Sequence, residues 1–222
     1  MKLDFSSVWQ YWPFLYHGAL TTLKITAMAA VLGFILGVLL SLIKISKCKP
    51  LVWFGNFYTS IFRGTPLLVQ LCIVHFGLPQ LTGMTLTTMQ SGVLTFSLNS
   101  AAYISEIFRG GINAIDRGQY EAAMSLGVGY RDMMKDIILP QAVKHILPSL
   151  VNEAISLLKE SSFLSYIGAV ELLRAADQIT VLTFRFFEPY LVIALIYYVF
   201  VMLLSMVASR VERWVNRSDR VS

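Results

Sequence analysis

The sequence ITAMAAVLGFILGVLLSLI, residues 25–43, contains no charged side chain. At about 1.5 Å of rise per residue, a helix of this length can cross a hydrocarbon core of about 30 Å. The stretch therefore predicts a membrane-spanning helix. Small residues recur at every fourth position along it, and they form a narrow face that another helix backbone can approach closely. This predicted packing seam consists of Ala29, Gly33, Gly37 and Ser41.

The composition of the whole chain is that of a protein whose solvent is the bilayer. Of its 222 residues, 56% are hydrophobic and 14% are charged, which is far from the balance of a soluble domain. The formal net charge of +5 does not favour nucleic acid as a partner, because the basic residues lie between apolar segments. Cys48 and Cys72 lie in or beside apolar stretches and predict no disulfide framework.

Four further apolar segments complete the predicted fold, an all-α membrane protein with five transmembrane helices in one domain, residues 1–222. The spans are predicted at about 19–43, 51–81, 89–108, 137–158 and 189–209, with a loop at 114–136 between the third and fourth. Gly64 and Pro66 predict a kink in the second span. Residues 163–170 are too few to cross and are predicted to pack near the outer helix ends.

Basic residues in the connections predict the orientation, because cytoplasmic connections carry an excess of Lys and Arg. The connections after the first, third and fifth spans are basic, whereas the turn at 79–90 has no Lys or Arg. We therefore expect the amino terminus outside and those three connections in the cytoplasm. The residues concerned are Lys44, Lys47 and Lys49; Arg109, Arg117, Arg131 and Lys135; and Arg210, Arg213, Arg217 and Arg220.

The loop between the third and fourth spans contains EAAMSLG at 121–127 and, after nine residues, IILP at 137–140. Propensities alone predict a short surface helix that ends at Gly127, followed by a helix that starts near Pro140. The whole pattern resembles the EAA loop of ABC importer permeases. That resemblance implies a cytoplasmic coupling helix over 119–127 that docks on an ATPase subunit. The coupling residues are expected to be Gln119, Glu121, Ala122, Ala123, Leu126 and Gly127, with a small face at Ala122 and Ala123 and Glu121 capping the helix.

Other stretches look like the permeases for polar amino acids, among them RGTPLLVQ at 63–70 and RGGI at 109–112. The resemblance implies two permease subunits, a dimer of ABC ATPases and an external amino-acid-binding protein at a bacterial inner membrane. The second permease is expected to be an identical copy or a related chain, with the homodimer favoured. The chain has no Gly-x-x-x-x-Gly-Lys-Ser/Thr motif, so ATP and Mg are expected on the partner ATPase and no cofactor on this chain.

Ionisable residues inside the spans predict a substrate site, because such groups usually face the protein interior or a wet cavity. Glu153 and Asn99 are both expected near mid-membrane, where Glu153 would supply a counter-charge for a cationic side chain. Asn99 and Ser100 would hydrogen-bond the substrate, and Arg63 is a further candidate. Two alternatives stay open: Arg63 neutralises Glu153, or Asn99 makes an interhelical hydrogen bond. Glu106, near Arg109, is expected to be solvated or ion-paired at the inner boundary.

The predicted function is that of a permease subunit of an ATP-driven importer for basic amino acids such as arginine, lysine or histidine. Glutamine or another polar amino acid is the first alternative. A secondary transporter driven by an ion gradient is less favoured, because it would more often show additional spans and inverted repeats. A membrane enzyme is not favoured, since the sequence has no metal-ligand cluster and no nucleophile with a neighbouring base.

Overall fold

The chain is all-helical in its computed structural model, which describes residues 3–216. Two of the basic residues used to predict the orientation, Arg217 and Arg220, lie outside the described residues. Short π-helical segments join α4 to α5 (Ile73–Gly77) and α8 to α9 (Met133–Ile138), and a 3₁₀ segment follows α9 (Ser161–Ile167). The helices are α1 (Ser6–Gln10), α2 (Trp12–Lys44), α3 (Lys49–Gly64), α4 (Leu67–Cys72), α5 (Leu78–Thr82), α6 (Thr88–Asn113), α7 (Arg117–Ser125), α8 (Tyr130–Asp132), α9 (Leu139–Glu160), α10 (Leu172–Thr183) and α11 (Phe187–Asn216).

Within residues 3–216, two helices are long and apolar enough to cross a membrane, Trp12–Lys44 and Phe187–Arg213. The pair Lys49–Gly64 and Leu67–Thr82 passes the same test together, and the two parts meet at 104°. The segments predicted as the third and fourth spans lie mostly within α6 and α9. Both helices are long, but they carry polar and charged residues that dilute their apolar character. The all-helical prediction is confirmed, while the number of crossings stays a prediction.

The segment predicted as one kinked span at 51–81 is broken between Gly64 and Leu67. Thr65 is extended, with φ −121° and ψ 146°, and Pro66 has ψ 135°. Proline lacks an amide donor and disfavours helical angles in the residue before it, so the chain leaves the helix here. The kink that the sequence predicted is therefore a complete break.

The two π-helical segments each end just before a proline. Pro79 and Pro140 are the second residues of α5 and α9, which follow them directly. Neither proline can donate to the carbonyl four residues earlier, and its ring crowds that carbonyl. A wider turn relieves the crowding, and the amides of Leu78 and Leu139 bond to carbonyls five residues back. The helix expected to start near Pro140 is thus continuous with a wider turn before it.

The small-residue face of α2 packs against α6. A Cβ on Gly33 would lie 2.9 Å from Ser100 Cβ, and one on Gly37 would lie 2.6 Å from Ile104 Cβ. Ala29 is fully buried. These contacts confirm the predicted packing seam for Ala29, Gly33 and Gly37, because any larger side chain would push the two helices apart.

Glu171 links α10 to α11 through its side chain. Its carboxylate accepts hydrogen bonds from the amides of Leu173 at 2.7 Å and Arg174 at 2.8 Å, and so caps α10. The same carboxylate accepts a bond from Tyr197 Oη of α11 at 3.2 Å. The amide of Leu172 donates to Thr22 Oγ1 of α2 at 3.2 Å. The start of α10 is therefore hydrogen-bonded to both long apolar helices, to α2 through the Leu172 amide and to α11 through the Glu171 carboxylate.

Candidate functional site

The helix of the EAA-like loop is α7, and its two ends are defined by specific hydrogen bonds. The Asp116 side chain accepts from Gly118 N at 2.6 Å and caps the start. At the other end, Gly127 N donates to Met124 O and Val128 N donates to Ala123 O, both at 3.0 Å. Gly127 has φ +72°, the left-handed conformation of a Schellman end. The prediction that Gly127 ends this helix is confirmed.

The two alanines of the loop differ in burial. Ala123 is 3% exposed and packs in a hydrophobic cluster that includes Met133, Ile138 and Ala142, whereas Ala122 is exposed. The expected small docking face of two alanines is therefore wrong for Ala123, whose lack of bulk lets α7 pack on its own chain. Glu121 is also not the cap, because it lies in the middle of α7 and Asp116 holds that position.

Two large apolar side chains are exposed on α7 and directly after it. Leu126 is 83% exposed and Met124 is 62% exposed, and Glu121 is exposed beside them. Gln119 Oε1 accepts a hydrogen bond from Gln141 Nε2 of α9 at 3.2 Å. This hydrogen bond joins α7 to the first turn of α9, the helix that carries Glu153.

Glu153 and Ser100 lie together between α9 and α6. Ser100 Oγ donates to Glu153 Oε1 at 2.8 Å. Ser100 is fully buried and Glu153 is half-buried. The structure thus brings together two of the four residues predicted for the substrate site.

Asn99 takes part in a different network, which holds the break between α3 and α4. Its Nδ2 donates to Phe62 O and to Gln70 Oε1, both at 3.0 Å. Gln70 Nε2 in turn donates to Phe62 O at 2.9 Å and to Thr65 O at 3.1 Å. The structure therefore shows the interhelical hydrogen bond that was the alternative for Asn99, and its contact with the substrate stays a prediction.

Arg63 lies beside Glu106, near the predicted cytoplasmic end of α6. Its Nη1 is 3.6 Å from Glu106 Oε2, and its guanidinium lies over the Tyr103 ring at 5.3 Å. Glu106 also pairs with Lys44, and Arg109 donates to Glu106 Oε2 from Nε at 2.9 Å. The expectation of an ion-paired Glu106 is confirmed. Arg63 pairs with Glu106 and not with Glu153, and its contact with the substrate stays a prediction.

Sequence reasoning missed three residues of these networks. Gln70 lies in the stretch RGTPLLVQ, Lys44 in a basic connection and Gln141 directly after IILP. None of these patterns predicts the contacts that the three side chains make. A glutamine four residues after a proline break was the available signal for Gln70, because the break leaves carbonyls that need donors. Among residues 3–216, no group of His, Cys, Asp and Glu is placed to hold a metal ion.

Comparison with known proteins gives consistent matches along the chain. Residues 29–218 match the family model described as "Binding-protein-dependent transport system inner membrane component". The chain is 51% identical to "Arginine transport system permease protein ArtQ" of Bacillus subtilis (strain 168), over 99% of this chain and 100% of that protein. It is 48% identical to "Putative glutamine transport system permease protein GlnP" of Rickettsia felis, over 90% and 92%.

A solved structure has the same fold. The "Crystal structure of an amino acid ABC transporter with histidines" contains a chain that is 45% identical and superposes with a TM-score of 0.91, covering 96% of this chain and 99% of that one. The likeness extends over nearly the whole of both chains, so it covers the EAA-like loop and the Glu153 region together.

Proposed function

Because the chain belongs to the family of binding-protein-dependent transport system inner membrane components, we propose that it forms half of the translocation pathway of an ATP-driven importer for basic amino acids. Family membership makes it a multi-pass permease component of the inner membrane that is not itself an ATPase. Arginine, lysine and histidine are the proposed substrates. The single observation that carries this choice is the environment of Glu153.

Within the part of the chain that the structure describes, Glu153 is a carboxylate without a basic partner. Among residues 3–216, its hydrogen bond comes from Ser100 Oγ, and no Lys, Arg or His nitrogen lies within 4 Å of it. Arg63, the candidate for neutralising it, pairs with Glu106. A carboxylate in an apolar helix bundle is costly unless a cation accompanies it. A basic amino acid in the pathway would supply that cation.

The names of similar proteins support a basic substrate without deciding it. The relative with 51% identity is named for arginine transport, and the solved structure is of an amino acid transporter "with histidines". A relative with 48% identity is named for glutamine. Glutamine and other neutral polar amino acids are therefore the second candidate. In the proposed site, Ser100 holds the Glu153 carboxylate in place and Glu153 contacts the substrate's positive charge.

For coupling, we propose that the exposed face of α7 docks on the ATPase subunit. Leu126, Met124 and Ala122 supply the apolar contact, and Glu121 lies beside them. Ala123 supports this face from inside, and Gln119 passes displacement to α9 through Gln141. Gly127 gives the chain its turn back toward the bilayer. The remaining partners proposed are a second permease, as a homodimer or with a paralogue, and an external amino-acid-binding protein.

The proposed topology has five spans with the amino terminus outside. The spans are α2, the broken pair formed by α3 and α4–α5, α6, α9 and α11. The basic residues of the connections remain its basis. In this arrangement α7 lies in the cytoplasm, on the side where the ATPase binds ATP.

Transport into vesicles tests the proposal. The chain is reconstituted with its ATPase and binding protein, and uptake of arginine, lysine, histidine and glutamine is compared. We expect ATP-dependent uptake with a preference for the three basic amino acids. Preference for glutamine would favour the second candidate, and uptake that persists without ATP but collapses with the ion gradient would reject the ABC importer.

A further inference from the structure

A cavity of about 400 Å³ lies where α2 and α6 end and α3 begins, and we refer to it as the inner cavity. Its lining includes the polar or charged residues Lys44, Asn56, Glu106 and Arg109 and the apolar residues Val52 and Phe108. Sites for small ligands commonly have volumes of about 300–1,000 Å³ and few polar groups among apolar ones. The inner cavity is separate from the Glu153 and Ser100 pair, and neither of these residues lines it.

The charges at the inner cavity do not balance. Among residues 3–216, Glu106 is the one carboxylate in contact with these basic side chains, which are Lys44 and Arg109 in the cavity lining and Arg63 beside it. Lys44 is 6% exposed, and it also donates to Thr59 Oγ1 at 3.3 Å. One carboxylate can offset only one of three positive charges. The cluster therefore keeps an excess of positive charge in a partly desolvated place, where it attracts an anion more strongly than in water.

Arg109 is the basic group best placed to meet a ligand. It uses Nε and Nη2 to bond Glu106 Oε2, at 2.9 Å and 2.5 Å, and its side chain is still 56% exposed. The bonds to Glu106 hold the guanidinium in position at the wall of the cavity. These bonds occupy the edge formed by Nε and Nη2, so Arg109 would meet a phosphate oxygen with Nη1.

The place of the cavity indicates the source of the anion. Lys44 ends α2 directly after the uncharged residues 25–43, so the cavity lies where the hydrocarbon layer ends. Val52 and Phe108 add apolar walls of the kind that a glycerol or acyl chain would contact. Basic pockets between transmembrane helices on the cytoplasmic side are a known type of site for anionic lipid headgroups.

We propose that the inner cavity binds the phosphate group of an anionic phospholipid of the inner leaflet. Arg109 is the main cation of this site, Asn56 is a neutral hydrogen-bonding group, and Glu106 holds Arg109 and Lys44 in place. The inference rests on the proposed topology, which puts this end of α2 in the cytoplasmic leaflet. It does not depend on which amino acid is transported.

Lipid titration of the complete transporter tests this site. The chain with its ATPase is delipidated in neutral detergent and titrated with phosphatidylglycerol, phosphatidylcholine of the same acyl chains, or inorganic phosphate. Bound lipid is counted by native mass spectrometry, and thermal unfolding is followed in parallel. We expect phosphatidylglycerol to bind and raise the unfolding temperature, and Arg109→Gln to weaken this binding about tenfold, the loss expected for one charge-assisted hydrogen bond.

Two control variants make the result specific. Arg109→Lys keeps the charge and should retain most of the binding. Arg210→Gln removes the same charge from an exposed position on α11, outside the cavity lining, and should bind as the unmodified chain does. Equal binding by Arg109→Gln, equal loss in Arg210→Gln, or equal binding of phosphatidylcholine would overturn the proposal.

Inorganic phosphate distinguishes the source of the anion. If it stabilises the transporter as well as phosphatidylglycerol does, the cavity is a site for a free anion and the lipid assignment is wrong. The readout needs no transport, so a negative result here leaves the importer proposal standing. A failed transport test likewise leaves lipid binding unaffected.

Discussion

Glu153 and Glu106 lie on helices that pack together, but their surroundings differ. Glu106 is in contact with three basic side chains, whereas the hydrogen bond of Glu153 comes from the neutral hydroxyl of Ser100. A charged carboxylate is stabilised by a nearby cation, and that stabilisation is already present at Glu106. Glu153 is therefore the position at which the charge of a passing substrate should matter.

Replacing Glu153 with glutamine should change selectivity and not only activity. The side chain keeps its size and can still accept a bond from Ser100, but it loses its charge. We expect arginine and lysine affinity to fall by about 1.5–3 kcal/mol, the range of a hydrogen bond to a charged group. Glutamine affinity should fall much less. Binding and uptake of both substrate classes by the reconstituted transporter check this expectation.

Asp136→Asn is the control for that measurement. It removes a carboxylate from an exposed position just before α9, so it should leave the preference between arginine and glutamine nearly unchanged. Equal losses for arginine and glutamine in Glu153→Gln would reject the cationic-substrate assignment. An equal shift in Asp136→Asn would attribute the effect to the net charge of the chain.

At the scale of elements, the end of α7 depends on the backbone of Gly127. Its φ of +72° costs a residue with a Cβ about 1–2 kcal/mol, and a Cβ there would meet no atom within 4 Å. Gly127→Val should therefore act through the backbone and not through a clash. We expect weakened stimulation of the ATPase by the permease and reduced uptake of all substrates.

A neighbouring glycine provides the control for that variant. Gly129 has φ −63° and ψ 148°, which any residue can adopt, and a Cβ on it would meet only Asp132 Oδ2 at an ordinary 3.7 Å. Gly129→Val should leave ATPase stimulation close to that of the unmodified chain. Unchanged ATPase stimulation and uptake in Gly127→Val would show that the coupling role of α7 is wrong.

The break between α3 and α4 depends on Gln70. This side chain is 7% exposed and satisfies the carbonyls of Phe62 and Thr65 as well as the amide of Asn99. Gln70→Leu would leave buried polar groups without partners, which costs about 1–3 kcal/mol each. We expect a lower unfolding temperature in detergent and reduced uptake of every substrate together.

Gln80→Leu is the corresponding control, because Gln80 is exposed on α5. It should leave both the unfolding temperature and uptake nearly unchanged. A selective loss of arginine uptake in Gln70→Leu would indicate that the network binds substrate directly. That result would support the prediction that Asn99 contacts the substrate.

At the scale of the whole molecule, the sequence best predicted the features that depend on the size of a single side chain. The glycine face of α2 and the left-handed turn at Gly127 follow from the lack of a side chain, and both are confirmed. The sequence did not predict which face of a helix a polar residue takes. Asn99 and Ser100 are adjacent, yet they bond to different helices, because neighbouring helical residues point about 100° apart. Such assignments require the packing of three helices at once.

The two most apolar helices differ in how much of their surface is buried within the chain. Only 6% of the most apolar window of α11 is buried within the chain, against 33% for that of α2. Helix α11 must therefore be covered by lipid or by another subunit. Helix α6 instead packs against α2 and α9, and its Ser100 is fully buried where it bonds to Glu153 of α9.

The orientation of the molecule can be tested with its own cysteine. Cys48 is exposed between α2 and α3, in the connection that the basic residues place in the cytoplasm. In a Cys72→Ser background, a membrane-impermeant maleimide should label Cys48 in inside-out vesicles and leave it unlabelled in right-side-out vesicles. Lysed vesicles give the total labelling for comparison.

A second position reports the opposite side of the membrane. Thr85 is exposed in the connection between α5 and α6, and Thr85→Cys with both native cysteines changed to serine should be labelled only in right-side-out vesicles. Opposite labelling of the two positions requires the chain to cross the membrane between them, and it identifies α3 to α5 as one crossing despite the 104° bend. Labelling of both from the same side would make the bent pair a re-entrant segment. The five-span topology would then be wrong, and the connection predicted as cytoplasmic after α2 would share its side with the turn before α6.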